Sequence, residues 1–122
     1  MKFYVCEHCG NIITYAKNAG VPVMCCGQKM VELVPGTTDA AVEKHVPVIK
    51  QEGQKVTVEV GSVTHPMMAE HYIEWIVLET EKGYQKVDLK PEEAPSAEFA
   101  LVEGDKVVAA YAYCNLHGLW KA

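Results

Sequence analysis

Four of the five cysteines fall within the first 26 residues, as Cys6-Glu-His-Cys9 and Cys25-Cys26, and each pair is followed by a glycine, Gly10 or Gly27. Residues 1–34, "FYVCEHCGNIITYA" and then "NAGVPVMCCGQKMVELV", carry short β-like runs broken by Gly10, Asn18-Ala19-Gly20 and Gly27. So few residues cannot bury enough apolar surface to fold alone, so the unit requires a staple. An odd total of five thiols fits a disulfide framework poorly. The opening "MKFYVCEHCG" lacks the apolar core of a secretory signal, so a reducing, cytoplasmic setting is expected, where such thiols bind metal or act chemically. Two thiolate pairs at tight turns can close a tetrahedron around zinc or iron, and the spacing leaves both metals open. Adjacent cysteines can share one metal only with angular distortion. With four thiolates present, His8 inside the first pair reads as a solvated loop residue.

The turn-rich "PGTTDA" at 35–40 separates this unit from the rest, giving expected domains of 1–36 and 37–122. From Glu43 onward the pattern is β. "KVTVEV" alternates, with Val56, Val58 and Val60 on one face and Lys55, Thr57 and Glu59 on the other. Polar turns containing glycine in "IKQEGQKV", "LETEKGYQKV" and "LVEGDKVV" read as hairpins. The expected strands are 45–50, 55–61, 72–80, 84–89, 97–103 and 106–113. With no convincing amphipathic helix, the fold class is mainly β, a sandwich preceded by the metal-stapled unit. A net charge of −5 argues against a nucleic-acid or membrane-surface partner, and no run approaches the ~18 apolar residues of a membrane span.

The remaining cysteine, Cys114, stands three positions before His117 at the end of the last strand. His45 opens a predicted strand, and His65 and His71 flank a loop between two others. Each histidine alone reads as an ordinary loop or core residue. Together they place four imidazoles and one thiolate at strand ends, where a sandwich gathers functional groups. Five donors leave one octahedral position open. Zinc prefers four donors and a blue-copper site needs two His and one Cys, so the set suits iron. A thiolate opposite an open position pushes electron density toward whatever binds there, an arrangement for inner-sphere electron donation to a small oxygen species.

The motifs "CEHCG … CCG", "EKHVPV", "HPM … HYIEW" and "CNLHGLWK" together resemble the desulfoferrodoxins, two-iron superoxide reductases, across essentially the whole chain. The resemblance implies a desulforedoxin-like N-terminal domain and an immunoglobulin-like β-sandwich. It implies a rubredoxin-type iron on Cys6, Cys9, Cys25 and Cys26. It also implies a catalytic iron with His45, His65, His71 and His117 equatorial and Cys114 axial. The implied reaction is one-electron reduction of superoxide to hydrogen peroxide, with re-reduction by a rubredoxin-like donor and a homodimeric assembly.

The family's Glu-Lys pair is present as Glu43 and Lys44, immediately before His45. An arbitrary Glu-Lys pair is a solvated one. Here superoxide, an anion, approaches a protein of net charge −5, and Lys44 supplies a local cation to focus it. Glu43, of the wrong sign to assist entry, is expected from the resemblance to fill the sixth position of ferric iron. The other readings are a non-catalytic iron electron-transfer protein, a zinc-holding structural or storage protein, and a superoxide dismutase. A carrier would usually saturate its metal, whereas this donor set stops at five.

Overall fold

Strands in the first 34 residues are two or three residues long, because glycines and cysteine-bearing turns interrupt every apolar run. The structure, a computed structural model, describes residues 1–122, which divide into the units Met1–Val34 and Pro35–Ala122. In the first unit, β1 (Phe3–Val5), β2 (Ile12–Ile13), β3 (Met24–Cys25), β4 (Gln28–Lys29) and β5 (Val31–Leu33) form two small antiparallel sheets, ordered β2-β1-β5 and β3-β4. Its buried side chains are Phe3, Cys6 and Met30. A core this small cannot offset the entropy of ordering the unit, which agrees with the need for a staple.

The second unit holds α1 (Val42–His45), β6 (Pro47–Glu52), β7 (Lys55–Val60), β8 (Ile73–Thr80), β9 (Gly83–Asp88), β10 (Ser96–Ala100), β11 (Val107–Cys114) and β12 (Gly118–Lys121). Two antiparallel sheets, β10-β7-β6 and β12-β11-β8-β9, make a three-on-four sandwich of the immunoglobulin-like kind. Alternation along each strand sends one face inward. Val56, Val58 and Val60 of β7 and Ala97 and Phe99 of β10 meet Ile76 and Leu78 of β8 and Ala110, Ala112 and Cys114 of β11 in one core. Each fully buried aliphatic side chain contributes about 1.5–3 kcal/mol, so this layer dominates the unit's stability.

Three expectations need correction. The strand expected over 45–50 begins at Pro47, and His45 instead ends the one-turn helix α1. Val46, forced toward extended backbone by the following proline, stops the helix at φ −68° and ψ 121°. The "LVEGDKVV" turn does form, with Asp105 N–H donating to Val102 O at 3.1 Å, but it is no hairpin. β10 pairs with β7 and β11 with β8, so the turn carries the chain from one sheet to the other. Finally, "GLWK" forms β12, a strand the sequence reading left out; four residues are too few for a visible alternation.

The crossover turn is clamped at Asp105. Thr80 Oγ1 donates to Asp105 Oδ2 at 2.7 Å, while the Lys106 and Lys82 N–H groups donate to Oδ1 at 2.8 and 3.1 Å. Desolvation pushes this carboxyl up, but the donors, Thr80 first among them, outweigh it and hold the group below its ordinary range. A depressed carboxyl stabilises the fold above its unfolded pKa of about 3.9, and the contribution is lost as pH falls through the folded value. Asp105→Asn is therefore expected to lower the urea midpoint at pH 7, with a smaller deficit near about pH 3. An equal deficit at both pH values would rule out the carboxylate charge as the clamp.

Candidate metal centres

Cys6 directly follows β1 and opens a tight turn closed by Gly10 N–H to Cys6 O at 2.8 Å. Cys9 N–H points back at Cys6 Sγ at 3.5 Å. The second pair sits on the β3–β4 hairpin, whose two central residues are Cys26 at φ 52° and Gly27 at φ 73°. Two successive left-handed residues are the signature of a type I′ turn, in which glycine costs nothing and another side chain is tolerated for a reason. That turn resolves the difficulty of adjacent cysteines, since left-handed Cys26 swings its thiol to the side Cys25 faces. All four Sγ atoms lie within 4.8 Å of one another, and Cys9 and Cys25 are 3.6 Å apart. A metal–sulfur tetrahedron with bonds of about 2.3 Å has edges of about 3.8 Å. The same separation is far too long for a disulfide, and all five cysteines are free.

The four thiols cannot all ionise unaided. Donation from the Cys9 backbone N–H brings Cys6 down to about 6 despite its burial. Cys26, crowded first by Cys9 and then by Cys6, is pushed up to about 12. A cation among the four sulfurs removes that conflict, so the set fits a metal. His8 is exposed on the intervening turn.

In the second unit, antiparallel pairing brings the start of β6 beside the end of β7 and the start of β8 beside the end of β11. The remaining ligand candidates lie at that end of the sandwich. His45 closes α1, His65 follows β7, and His71 precedes β8 in a bridge with Met68. Cys114 is the last residue of β11, and His117 stands in the turn to β12. The four imidazoles form a ring in the order His45, His65, His71, His117. Neighbouring centroids are 4.7, 4.7, 5.1 and 4.9 Å apart and each ring is near-perpendicular to the next, at 77–88°.

Tautomers follow from the hydrogen bonds. His45 Nδ1 lies 2.7 Å from Ala41 O and His65 Nδ1 2.6 Å from Pro66 O. Carbonyl oxygens only accept, so both Nδ1 atoms carry the proton and both Nε2 atoms present lone pairs. Yet these Nε2 atoms face each other at 3.2 Å, and His117 Nδ1 is also 3.2 Å from His45 Nε2. His71 Nε2 is buried with no hydrogen-bond partner. The lone pairs of His45 and His65 converging at that distance repel, and a cation between them relieves the repulsion. Adjacent corners of a square with metal–nitrogen bonds of about 2.1 Å are about 3 Å apart. The donor atoms of His45, His65, His71 and Cys114 all lie within 4.8 Å of one another, and His117 Nδ1 joins them 3.8 Å from Cys114 Sγ. The residues fit a metal, with four imidazoles and one thiolate in the set.

Burial disfavours the charged forms of His45, His65 and His71. Burial lowers His65 to about 4, and it also lowers His45 and His71, outweighing the Ala41 carbonyl at His45. Burial pushes the Cys114 thiol up, against the Leu116 and His117 N–H groups that favour its thiolate. Glu43 and Lys44 are exposed on α1; both charges reach His45, and that of Lys44 also reaches His71.

Two supporting residues escaped the sequence reading. Trp120 donates its Nε1–H to His117 O at 3.0 Å and lies against the His45 ring, centroids 4.9 Å apart and tilted by 30°. One indole thus orients ligands 72 positions apart. Asn115 accepts from Tyr72 N–H at 3.0 Å and donates to Glu70 O at 3.0 Å, tying the Cys114 loop to the residues flanking His71. A tryptophan three positions after the ligand candidate His117 was the available signal for the first. Nothing distinguishes Asn115 from any other loop asparagine.

A family model for desulfoferrodoxins matches residues 37–122. The chain is 50% identical to a desulfoferrodoxin of Nitratidesulfovibrio vulgaris over 121 residues, covering 99% of this chain and 94% of that one. It is 48% identical to a desulfoferrodoxin homolog of Archaeoglobus fulgidus, covering 100% and 96% of the two chains. Its fold superposes on the crystal structure of the superoxide reductase from Treponema pallidum with a TM-score of 0.82 at 42% identity, covering 98% of each chain. Similarity of this extent, over the residues that build both metal sets, shows that the chain belongs to the desulfoferrodoxin family.

Proposed function

We propose that this protein is a superoxide reductase, and the observation that carries the reading is the square of imidazole donors completed by one thiolate. Cys6, Cys9, Cys25 and Cys26 hold one iron, and His45, His65, His71, His117 and Cys114 hold the other. When bound and ferrous, the second iron supplies one electron, so that superoxide with two protons leaves as hydrogen peroxide. The chain's own part is to keep His45, His65 and His71 neutral by burial and to hold all four imidazoles around one point. It also holds the Cys114 sulfur in a dry site where the Leu116 and His117 N–H groups favour the anion. A pure electron relay gains nothing from a coordination set that stops at five donors. Mixing the reduced protein with superoxide should yield one peroxide per superoxide without dioxygen. Release of one dioxygen for every two superoxides would mark a dismutase instead.

Glu43 and Lys44 are assigned to the reaction: Lys44 would focus the anion, and Glu43 would supply a carboxylate to the second iron once it is oxidised. Their support is exposure beside His45 and charges that reach the ligand rings. Lys44→Ala should slow superoxide binding several-fold at low salt and flatten its ionic-strength dependence. Glu43→Ala should leave that rate nearly unchanged while altering the ferric absorption. Equal low-salt rates in wild type and Lys44→Ala would remove the steering role.

The domains assigned are 1–36 and 37–122, and the two iron sites share no ligand. Cys26→Ser should therefore perturb the N-terminal iron alone, leaving the reaction with superoxide intact in pulse experiments. Loss of that reaction with the second iron still bound would contradict the division. A rubredoxin-like protein is the assigned electron donor and the cytoplasm the assigned location, in keeping with five free thiols. A homodimer is supported by the exposure of Val21, Val23, Met24 and Val31 on the small first unit. Sedimentation at micromolar concentration should give twice the 13.5 kDa chain mass, and a monomer would exclude the dimer.

A further inference from the structure

Gly61 follows the last residue of β7, and a Cβ placed on it would stand 2.6 Å from Glu43 O, 3.0 Å from the Lys44 carbonyl carbon and 3.1 Å from Val46 O. All three are backbone atoms, so no rotamer change can relieve the contact. The φ of Gly61 lies outside the left-handed region, so glycine is required here for space and not for backbone conformation. The next two residues hold what Gly61 admits. Ser62 Oγ donates to Glu43 O at 3.2 Å, and Val63 N–H donates to the same oxygen at 2.9 Å. α1 has one turn and no side-chain N-cap, and a helix that short does not hold its own position. Its placement has to come from outside.

We propose that Gly61, Ser62 and Val63 form a backbone seat that fixes the Glu43–Lys44 turn beside the metal centre, making Gly61 and Ser62 positioning residues for the reaction. The role rests on the assignment of Glu43 and Lys44 made above. The seat belongs to the loop that supplies His65, and the seated turn supplies His45. A single close contact therefore sets the spacing of two ligands and of the charged pair. Restoring an ordinary separation of 3.4 Å to Glu43 O would move the turn by about 0.8 Å, beyond the roughly 0.5 Å within which reacting groups must be held.

The test uses full-length, iron-loaded Gly61→Ala and Ser62→Ala, with Glu43→Ala and Lys44→Ala as references and iron content checked in each. Hydrogen exchange over residues 41–46, followed by mass spectrometry, reads the seat. The ferric absorption and the low-salt rate with superoxide read its consequence. Exchange is expected to quicken about tenfold or more in Gly61→Ala and about threefold to tenfold in Ser62→Ala. Both variants should also shift the ferric absorption as Glu43→Ala does. Unchanged exchange in both would overturn the seat. Faster exchange with a wild-type spectrum and rate, while the reference variants alter them, would overturn the positioning role. If the reference variants alter neither, the role assigned to the pair fails and the positioning role falls with it, a result distinct from loss of the seat itself. Should Gly61→Ala not fold, exposed Ser62 carries the test alone.

Discussion

Two imidazole nitrogens with their lone pairs turned toward each other at 3.2 Å are the constraint on which the second unit is organised. That arrangement is repulsive unless a cation sits between them, and it persists because each ring is pinned from behind by a backbone carbonyl. The carbonyls belong to segments at one end of the sandwich, so the sheet pairing is what brings the rings together. The core of valines, leucine and alanines supplies the free energy that holds the donors in a conformation unfavourable on its own. Metal binding then converts a local liability into a local gain.

The first unit solves the same problem with less. It has three buried side chains, and one of them, Cys6, is itself part of the donor set. Here turns take the place of a core. The Cys6–Gly10 loop and the left-handed Cys26-Gly27 pair dictate where sulfur atoms point, and little else in the unit could. The two centres thus represent two ways of preorganising ligands, one by packing and the other by turn chemistry.

Much of this was legible in the sequence, for physical reasons that differ by residue. Val56, Val58 and Val60 alternate because a strand facing a core must, and their strand runs where the alternation does. Thiols paired at Cys6/Cys9 and Cys25/Cys26 announce a tetrahedral site, since two thiolate pairs at tight turns can close around one metal. Helix α1 was hidden because four residues carry no periodicity, and Pro47 reads equally well as the start of a strand or its interruption. The partner of β10 was hidden too, since a polar turn looks the same whether it joins strands within a sheet or crosses between sheets. Gly61 was beyond reach for a deeper reason. Its role lies in contacts with Glu43, Lys44 and Val46, far away in sequence, and nothing local marks it.

The distances along the chain between ligands have a consequence for synthesis. The four sulfurs span residues 6 to 26, so that site is complete in the nascent chain once its first unit has emerged. The second site joins His45 to His117, which face each other at 3.2 Å, and cannot exist until β11 and the turn beyond it have been made and paired. Closing so long a loop carries a larger entropic cost, which the folded sandwich has to meet before the ring of imidazoles is assembled. The order of the ligands along the chain thus sets the order in which the sites can form: the four thiols of residues 6–26 first, the ring closed by His117 only later.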